Sequence, residues 1–202
     1  MSKKEQRVAI ITGGSRGIGA GLVAAYGRRG WAVVANSRGI KPSGNPDVLT
    51  VDGDVSERTT SDRIIGEALE RFGRIDTLVN NAGVFTSKPF TDYTPEDYAL
   101  VVRVNLTGFF GLTQRAIAQM LKQEGGHVVN ITTTLVDYAN STVPSVLTSL
   151  TKGGLASATK SLAIEYASRG IRVNAVSPGV VETAMSSQKP TRRPMGSTHS
   201  GA

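Results

Sequence analysis

The sequence predicts an α/β protein with a doubly wound parallel sheet and helices on both of its faces. Short β-branched apolar runs, typical of strands buried on both faces, alternate along the chain with longer segments of helical periodicity. Such alternation favours a parallel sheet joined by right-handed crossovers. The 202 residues are 39% hydrophobic and include 23 glycines, which suits one domain with many tight turns.

The first strand and the first helix are bounded by glycines. An apolar run at 8–12 ends in Gly13 and Gly14, and helical periodicity from 18 to 29 closes at Gly30. The later strands, in order, are predicted at 31–35, 48–51, 75–79, 128–131 and 173–176.

Three further helices are predicted from their boundary residues. Ser56 is expected to cap a helix that runs to about Phe72, with Glu57 in its first turn and Gly73 as its end. Thr94, followed by Pro at the first helical position, is expected to open a long helix to about residue 122. A last long helix is predicted at 144–169.

Two segments are predicted to lack regular structure. Residues 36–47 contain two Pro and two Gly, so we expect a plain loop, which is just long enough to join parallel strands. The chain becomes polar and turn-rich after about Glu182. We therefore expect a folded domain over 1–185 and a disordered tail over 186–202.

Composition excludes several classes of function. The net charge of +7 is scattered, without a basic helix or aromatic-interleaved patch, so no nucleic-acid partner is expected. The absence of cysteine excludes disulfides and thiolate chemistry. The histidines, His127 and His199, lie far apart, and no metal site is predicted. Without a signal-peptide pattern or a stretch long enough to span a membrane, we expect a cytoplasmic protein.

A glycine-rich segment lies between the first strand and the first helix, where it predicts a dinucleotide site. Glycines permit the tight turn and let backbone N–H groups approach a pyrophosphate at the positive end of the helix. The strand-turn-helix context makes this pattern more specific than a lone glycine motif. The candidate cofactor residues in this loop are Gly13, Ser15, Arg16, Gly17, Ile18 and Gly19.

The end of the second strand predicts which cofactor binds. An acid there would hold the ribose 2′-hydroxyl of NAD, but this chain has Ser37 and Arg38. Arg16 and Arg38 are placed to bracket a 2′-phosphate, which suits the planar fork of an arginine, and Ser37 offers a further donor. The prediction is NADP(H) in preference to NAD(H).

Several motifs, in this order, resemble those of the short-chain dehydrogenase/reductase family over about residues 7–185. They are the glycine spacing of Gly13, Gly17 and Gly19; Asp54-Val55; Asn80-Asn81-Ala82-Gly83; Asn105; the segment 145–155 with Lys152; and Pro178-Gly179-Val180-Val181-Glu182-Thr183. The resemblance implies a Rossmann-type sheet that lacks the family's usual seventh strand.

The same resemblance assigns further cofactor contacts. Asp54 and Val55 correspond to the pair that contacts adenine, and Lys152 to the residue that hydrogen-bonds the nicotinamide ribose. The Asn-Asn-Ala-Gly motif lines the cofactor through Asn81, Ala82 and Gly83. The segment after the sixth strand corresponds to the one that contacts the carboxamide, through Pro178, Gly179, Val181 and Thr183.

The family's catalytic tyrosine, four residues before the lysine, is replaced by Thr148. Residues four apart on a helix share a face, but an aliphatic hydroxyl is shorter and far less acidic than a phenol. Three alternatives remain open for the proton. Tyr138 swings a phenol into the site, a water held by Thr148, Lys152 and Asn105 carries the proton, or Lys152 donates directly if burial lowers its pKa.

The family's substrate-polarising serine has no certain counterpart. Thr133 takes the second serine position in the Asn130-Ile131-Thr132-Thr133 stretch, and its hydroxyl offers a similar hydrogen bond. Counting back from position 148 leads to Leu135 instead. Ordinary β-propensity explains the threonines about as well.

Two functions therefore stay open. The first is an NADP(H)-dependent oxidoreductase that acts on a small carbonyl or alcohol substrate with an atypical proton donor. The second is a non-catalytic NADP(H)-binding protein, such as a regulatory subunit. The helices near 95–122 and 144–169 resemble those of the family's dimer interface, so a homodimer is expected. A tetramer is less expected, because the family's last strand often contributes to it.

Overall fold

The computed structural model describes residues 6–123 and 125–181, and within them six strands form one sheet. The strand order is 3-2-1-4-5-6, and every neighbouring pair is parallel, which confirms the predicted fold class. The order reverses between the first and fourth strands, and such a reversal opens a crevice at the carboxyl ends. The strands are β1 Val8–Thr12, β2 Ala32–Ser37, β3 Val48–Asp52, β4 Thr77–Asn80, β5 Gly126–Ile131 and β6 Ile171–Val176.

Helices cover both faces of the sheet because successive strand residues point to opposite sides. Ile10 of β1 belongs to a buried cluster with residues of helices α2 (Arg58–Phe72) and α4 (Gly108–Lys122). The next residue, Ile11, belongs to a cluster against helix α1 (Gly17–Arg28). The central strands are therefore apolar on both faces, as the continuous apolar runs predicted. The helices are α1 Gly17–Arg28, α2 Arg58–Phe72, α3 Pro95–Val102, α4 Gly108–Lys122 and α5 Val146–Tyr166.

The predicted long helix from 95 to 122 begins as expected but is not uniform. Thr94 caps α3 by accepting a hydrogen bond from the Asp97 backbone, while the Asp97 side chain accepts from the Thr94 backbone. A π-helical turn, Arg103–Thr107, then joins α3 to α4. Such a turn adds a residue to the local repeat and is frequent at functional sites. Here it carries Asn105.

The predicted cap of α2 was wrong. The Ser56 hydroxyl donates to Asp54 at 2.7 Å instead of capping the helix, and Glu57 holds the cap position without a side-chain hydrogen bond. The Asp54 carboxylate, two residues earlier, takes the hydroxyl of Ser56, so this hydroxyl does not cap the helix. Gly73 ends α2 in the left-handed conformation, as predicted.

The connection between β2 and β3 is a loop, as its proline and glycine content predicted, and these two strands pair in parallel. In the described part of the chain, β3 and β6 form the two edges of the sheet. The predicted tail at 186–202 and Thr183 lie outside the described residues.

Candidate active site

The glycine loop leads directly into the uncapped end of a helix. Gly13 and Gly17 have positive φ angles of 66° and 55°, which residues with a Cβ rarely adopt. α1 starts at Gly17, Arg16 makes no side-chain cap bond, and the first turn contains no acid. Free N–H groups at a positive helix end attract an anion, so the loop offers the chemistry that a pyrophosphate needs.

The loop is fastened to the carboxyl end of β4. The Thr12 hydroxyl accepts from the backbone N–H groups of Asn81 at 3.0 Å and Ala82 at 2.9 Å. The Asn81 side chain donates to the Thr12 carbonyl at 2.9 Å. A Cβ on Gly19 would overlap the Gly13 carbonyl oxygen. The Asn81 amide therefore shapes the loop. Thr12 was not among the predicted site residues, and its only signal in the sequence is a hydroxyl residue at the end of the strand.

The end of β2 lies beside the glycine loop. The hydroxyls of Ser15 and Ser37 are 2.9 Å apart, and Arg16 and Arg38 are both exposed. Asn36 is buried and turned inward, where its amide donates to the carbonyls of Val51 and Gly53. The two predicted phosphate-binding arginines are thus solvent-facing and project from adjacent segments.

Asp54 and Val55 are held by contacts within the protein. The Asp54 carboxylate accepts from the Ser56 hydroxyl and from Arg103 at 3.0 Å. Burial raises the pKa of Asp54, but the hydrogen bonds from Ser56 and the positive charges of Arg103 and Arg38 outweigh it, so the pKa lies below its usual value. Val55 is buried in the core. This pair links the end of β3 to the π-helical turn.

Lys152 lies on α5 with its amine buried at the end of β5. Its Nζ donates to the Ile131 carbonyl at 2.6 Å, and burial lowers the pKa of Lys152 to about 8. A Cβ on Gly83 would stand 3.2 Å from this Nζ and also 3.2 Å from Oδ1 of Asn105. Three sequence-predicted residues, Gly83, Asn105 and Lys152, therefore meet at one point.

The Asn105 amide is bound to backbone and to a neighbouring threonine. Its Nδ2 donates to the Val84 carbonyl and to the Thr151 hydroxyl, each at 3.1 Å. Its Oδ1 accepts from the Val84 N–H at 2.9 Å. The π-helical turn thereby fixes the segment after β4. Thr151, next to the lysine, was not among the predicted site residues, and no sequence signal pointed to it.

Thr148 lies one turn before Lys152 and is only 3% exposed. Its hydroxyl accepts from the Thr86 N–H at 3.3 Å and donates to the Thr86 carbonyl at 3.4 Å. The residue in place of the tyrosine thus binds the segment after β4 to α5.

The structure does not bring Thr133 and Tyr138 into the cluster around Lys152 by any described hydrogen bond. The Thr133 hydroxyl accepts from the Leu135 N–H and caps the 3₁₀ turn Thr134–Val136. The Tyr138 side chain is 76% exposed. After β6, the Pro178 carbonyl accepts from Thr134, which brings the segment with Gly179 and Val181 next to the loop after β5.

The fold and this site define a Rossmann-type α/β protein with a glycine loop at the switch point of the sheet and a buried lysine at the carboxyl end of β5. The chain belongs to the short-chain dehydrogenase family, whose model matches residues 7–194. In the described part of the chain, no helix is both long and apolar enough to cross a membrane.

Relatives with similar sequences are oxidoreductases. An uncharacterized oxidoreductase of Methylorubrum extorquens is 38% identical over 193 residues, which cover 91% of this chain and 76% of that protein. A 3-oxoacyl-(acyl-carrier-protein) reductase of Thermotoga maritima is 33% identical over 201 residues, covering 93% and 79%. A 3beta-hydroxysteroid dehydrogenase of Eggerthella lenta is 33% identical over 202 residues, covering 91% and 74%.

Solved structures share the fold. A 3-ketoacyl-(acyl-carrier-protein) reductase from Brucella melitensis, complexed with NADH, matches with a TM-score of 0.84 and 30% identity over 90% of this chain and 78% of that chain. ElxO with NADP bound matches with a TM-score of 0.82 and 28% identity over 89% of this chain and 75% of that chain.

Proposed function

We propose that the chain is an NADP(H)-dependent oxidoreductase that interconverts a carbonyl and an alcohol without a tyrosine at position 148. The observation that supports this best is the meeting of Lys152, Asn105 and Gly83 at the same edge of the sheet as the open end of α1. The oxidoreductase activities of the named relatives point the same way.

The residues present fit a nicotinamide dinucleotide. The glycine loop would hold the pyrophosphate, Lys152 would hold the ribose next to the nicotinamide, and Pro178, Gly179 and Val181 would hold the carboxamide. When bound, the cofactor supplies or accepts a hydride. The chain's own part is to orient the substrate carbonyl and to move one proton at its oxygen.

The preference for NADP(H) over NAD(H) is supported by the two exposed arginines. Arg16 and Arg38 lie on adjacent segments joined by the Ser15–Ser37 contact, and Ser37 and Arg38 stand where an acid would select NAD. The solved relatives carry either NADH or NADP, so the proposed preference for NADP(H) rests on the two arginines.

A substrate with a ketone or secondary alcohol fits this chemistry, as in the 3-oxoacyl and hydroxysteroid relatives.

We propose that the chain works as a homodimer. Phe110 of α4 and Leu150 of α5 are large, exposed apolar side chains, and they lie on the two helices that resemble those of the family's dimer interface. Light scattering after size-exclusion chromatography would test this.

Titration of the purified protein with NADPH and with NADH, followed by nicotinamide fluorescence, tests the cofactor proposal. We expect NADPH to bind at least tenfold more tightly, since a charge-assisted hydrogen bond contributes about 1.5–3 kcal/mol. Arg38→Ala should weaken the binding of NADPH and leave the binding of NADH unchanged. The exposed Arg172→Ala, on β6, is the matched control. Equal affinities would refute the NADP(H) preference, and failure to bind either cofactor would refute the proposed function.

A further inference from the structure

The loss of the tyrosine leaves four candidate groups near the site, and three of them are engaged or turned away. The Thr148 hydroxyl is bound to both backbone groups of Thr86. The Asn105 amide uses both of its N–H groups on Val84 and Thr151. Tyr138 points into solvent. A water relay held by Thr148 and Asn105 would have to compete with these contacts.

Lys152 is the remaining group. An ammonium has three N–H donors, and among the described residues only the Ile131 carbonyl accepts from this one. Two N–H groups are left to meet a ligand. Position 83 is a glycine, so no Cβ occupies the point 3.2 Å from Nζ where a larger residue would place one.

We propose that Lys152 itself gives the proton to the carbonyl oxygen during reduction and takes it back during alcohol oxidation. This inference rests on the proposed function and names the proton donor that the proposed function leaves unassigned.

The reaction balances with Lys152 as the acid. In reduction, a bound dihydronicotinamide would supply the hydride that forms a C–H bond at the carbonyl carbon, and it would thereby be oxidised. The C=O π bond breaks, and its oxygen forms an O–H bond with the proton that leaves Nζ. Lys152 becomes a neutral amine and regains a proton from solvent. In oxidation, the neutral amine accepts the alcohol proton.

The surroundings of Lys152 suit this role because they are neutral. The groups that face it are the Ile131 carbonyl of β5, Gly83 after β4 and the Asn105 amide of the π-helical turn. Burial lowers the pKa of Lys152 to about 8, with no charged neighbour contributing. An acid whose pKa lies near the working pH transfers protons most effectively.

The first experiment measures the lysine directly. Nitrogen-15 NMR of lysine-labelled protein, with and without NADPH, gives the pKa of Lys152, assigned by its loss in Lys152→Met. We expect a value near 8 and a fall of kcat/KM for reduction of acetoacetyl-CoA or a simple ketone above the same pH. A pKa near the ordinary 10.5 would overturn the proposal.

The second experiment separates proton donation from ribose binding. Lys152→Arg keeps a cation but does not release a proton near neutral pH. We expect it to bind NADPH within a few-fold of wild type while reduction falls about 10²- to 10⁴-fold. Lys160→Met, an exposed lysine two turns along α5, is the control. Small primary ammonium ions should restore reduction to Lys152→Ala, with a rate constant that rises as the pKa of the amine falls.

The outcomes distinguish the two claims. Wild-type turnover in Lys152→Arg would overturn the assignment of Lys152 as the proton donor, and so would loss of turnover in Tyr138→Phe. Neither result would overturn the proposed function. Failure of the wild-type protein to bind NADPH, or to reduce either acetoacetyl-CoA or a simple ketone, would overturn the proposed function, and this inference with it.

Discussion

The hydroxyl of Thr148 contacts both backbone groups of Thr86, 3.3 Å from its nitrogen and 3.4 Å from its carbonyl oxygen. The residues are 62 positions apart, so this contact joins α5 to the segment after β4. Tyr93 donates to the same Thr86 carbonyl at 3.1 Å. Position 148 therefore has a structural task in this chain.

Thr148→Tyr should destabilise the protein. The position is buried, and a phenol must displace the Thr86 segment, so we expect a loss of about 1–3 kcal/mol in the free energy of unfolding. Urea denaturation measures it. Thr148→Ser, which keeps the hydroxyl, should lose much less. A tyrosine variant as stable as wild type would show that the site still has room for the family's usual side chain.

Gly19→Ala should disrupt the glycine loop. The added Cβ would overlap the Gly13 carbonyl, which is backbone and has no easy way to move. We expect at least a tenfold loss of NADPH affinity by fluorescence titration and a lower melting temperature. Gly21→Ala, on the same helix with no atom within 4 Å of its added Cβ, is the matched control. The free energy of unfolding of the Gly21→Ala variant should be about 0.5–1 kcal/mol higher than that of wild type, because alanine favours a helix more than glycine does. Unchanged binding in Gly19→Ala would contradict the loop geometry.

Asn130→Ala should be costly because it breaks a buried polar network beneath the site. Asn130 accepts from the Asn80 amide at 2.9 Å and donates to the Thr159 hydroxyl at 2.8 Å. Removing it takes one of two hydrogen-bond partners from the buried Asn80 amide and one of two from the buried Thr159 hydroxyl, so we expect a loss of about 1–3 kcal/mol in urea denaturation. Exposed Asn174→Ala, on β6, should change stability much less. Equal effects of the two substitutions would argue against the network.

The stability of the protein should depend on pH through Lys152. Burial lowers its pKa from 10.5 to about 8 in the folded state, so between these values the unfolded chain holds a proton that the folded chain has released. The free energy of unfolding should therefore rise with pH from about 8 to 10.5. Lys152→Met should lack this rise. Parallel curves for wild type and variant would refute the lowered pKa.

The sequence predicted much of the fold because its signals are local. The apolar runs, Gly73 at the end of α2, and the Thr94 cap with its following proline all act within a few residues, and the structure confirms them. The failed cap at Ser56 shows the limit of such signals, because the nearby Asp54 carboxylate took the hydroxyl. The π-helical turn also escaped prediction, since its residues suit an α-helix equally well.

The sequence by itself determined the order of strands and helices, the glycine loop, and the presence of Lys152 and Thr148 one turn apart. Only the tertiary structure decided what those side chains contact. Lys152 meets the Ile131 carbonyl across 21 residues, and Thr148 meets Thr86 across 62. Such contacts, and the burial that lowers the pKa of Lys152, arise when distant segments pack together, and no local pattern of residues encodes them.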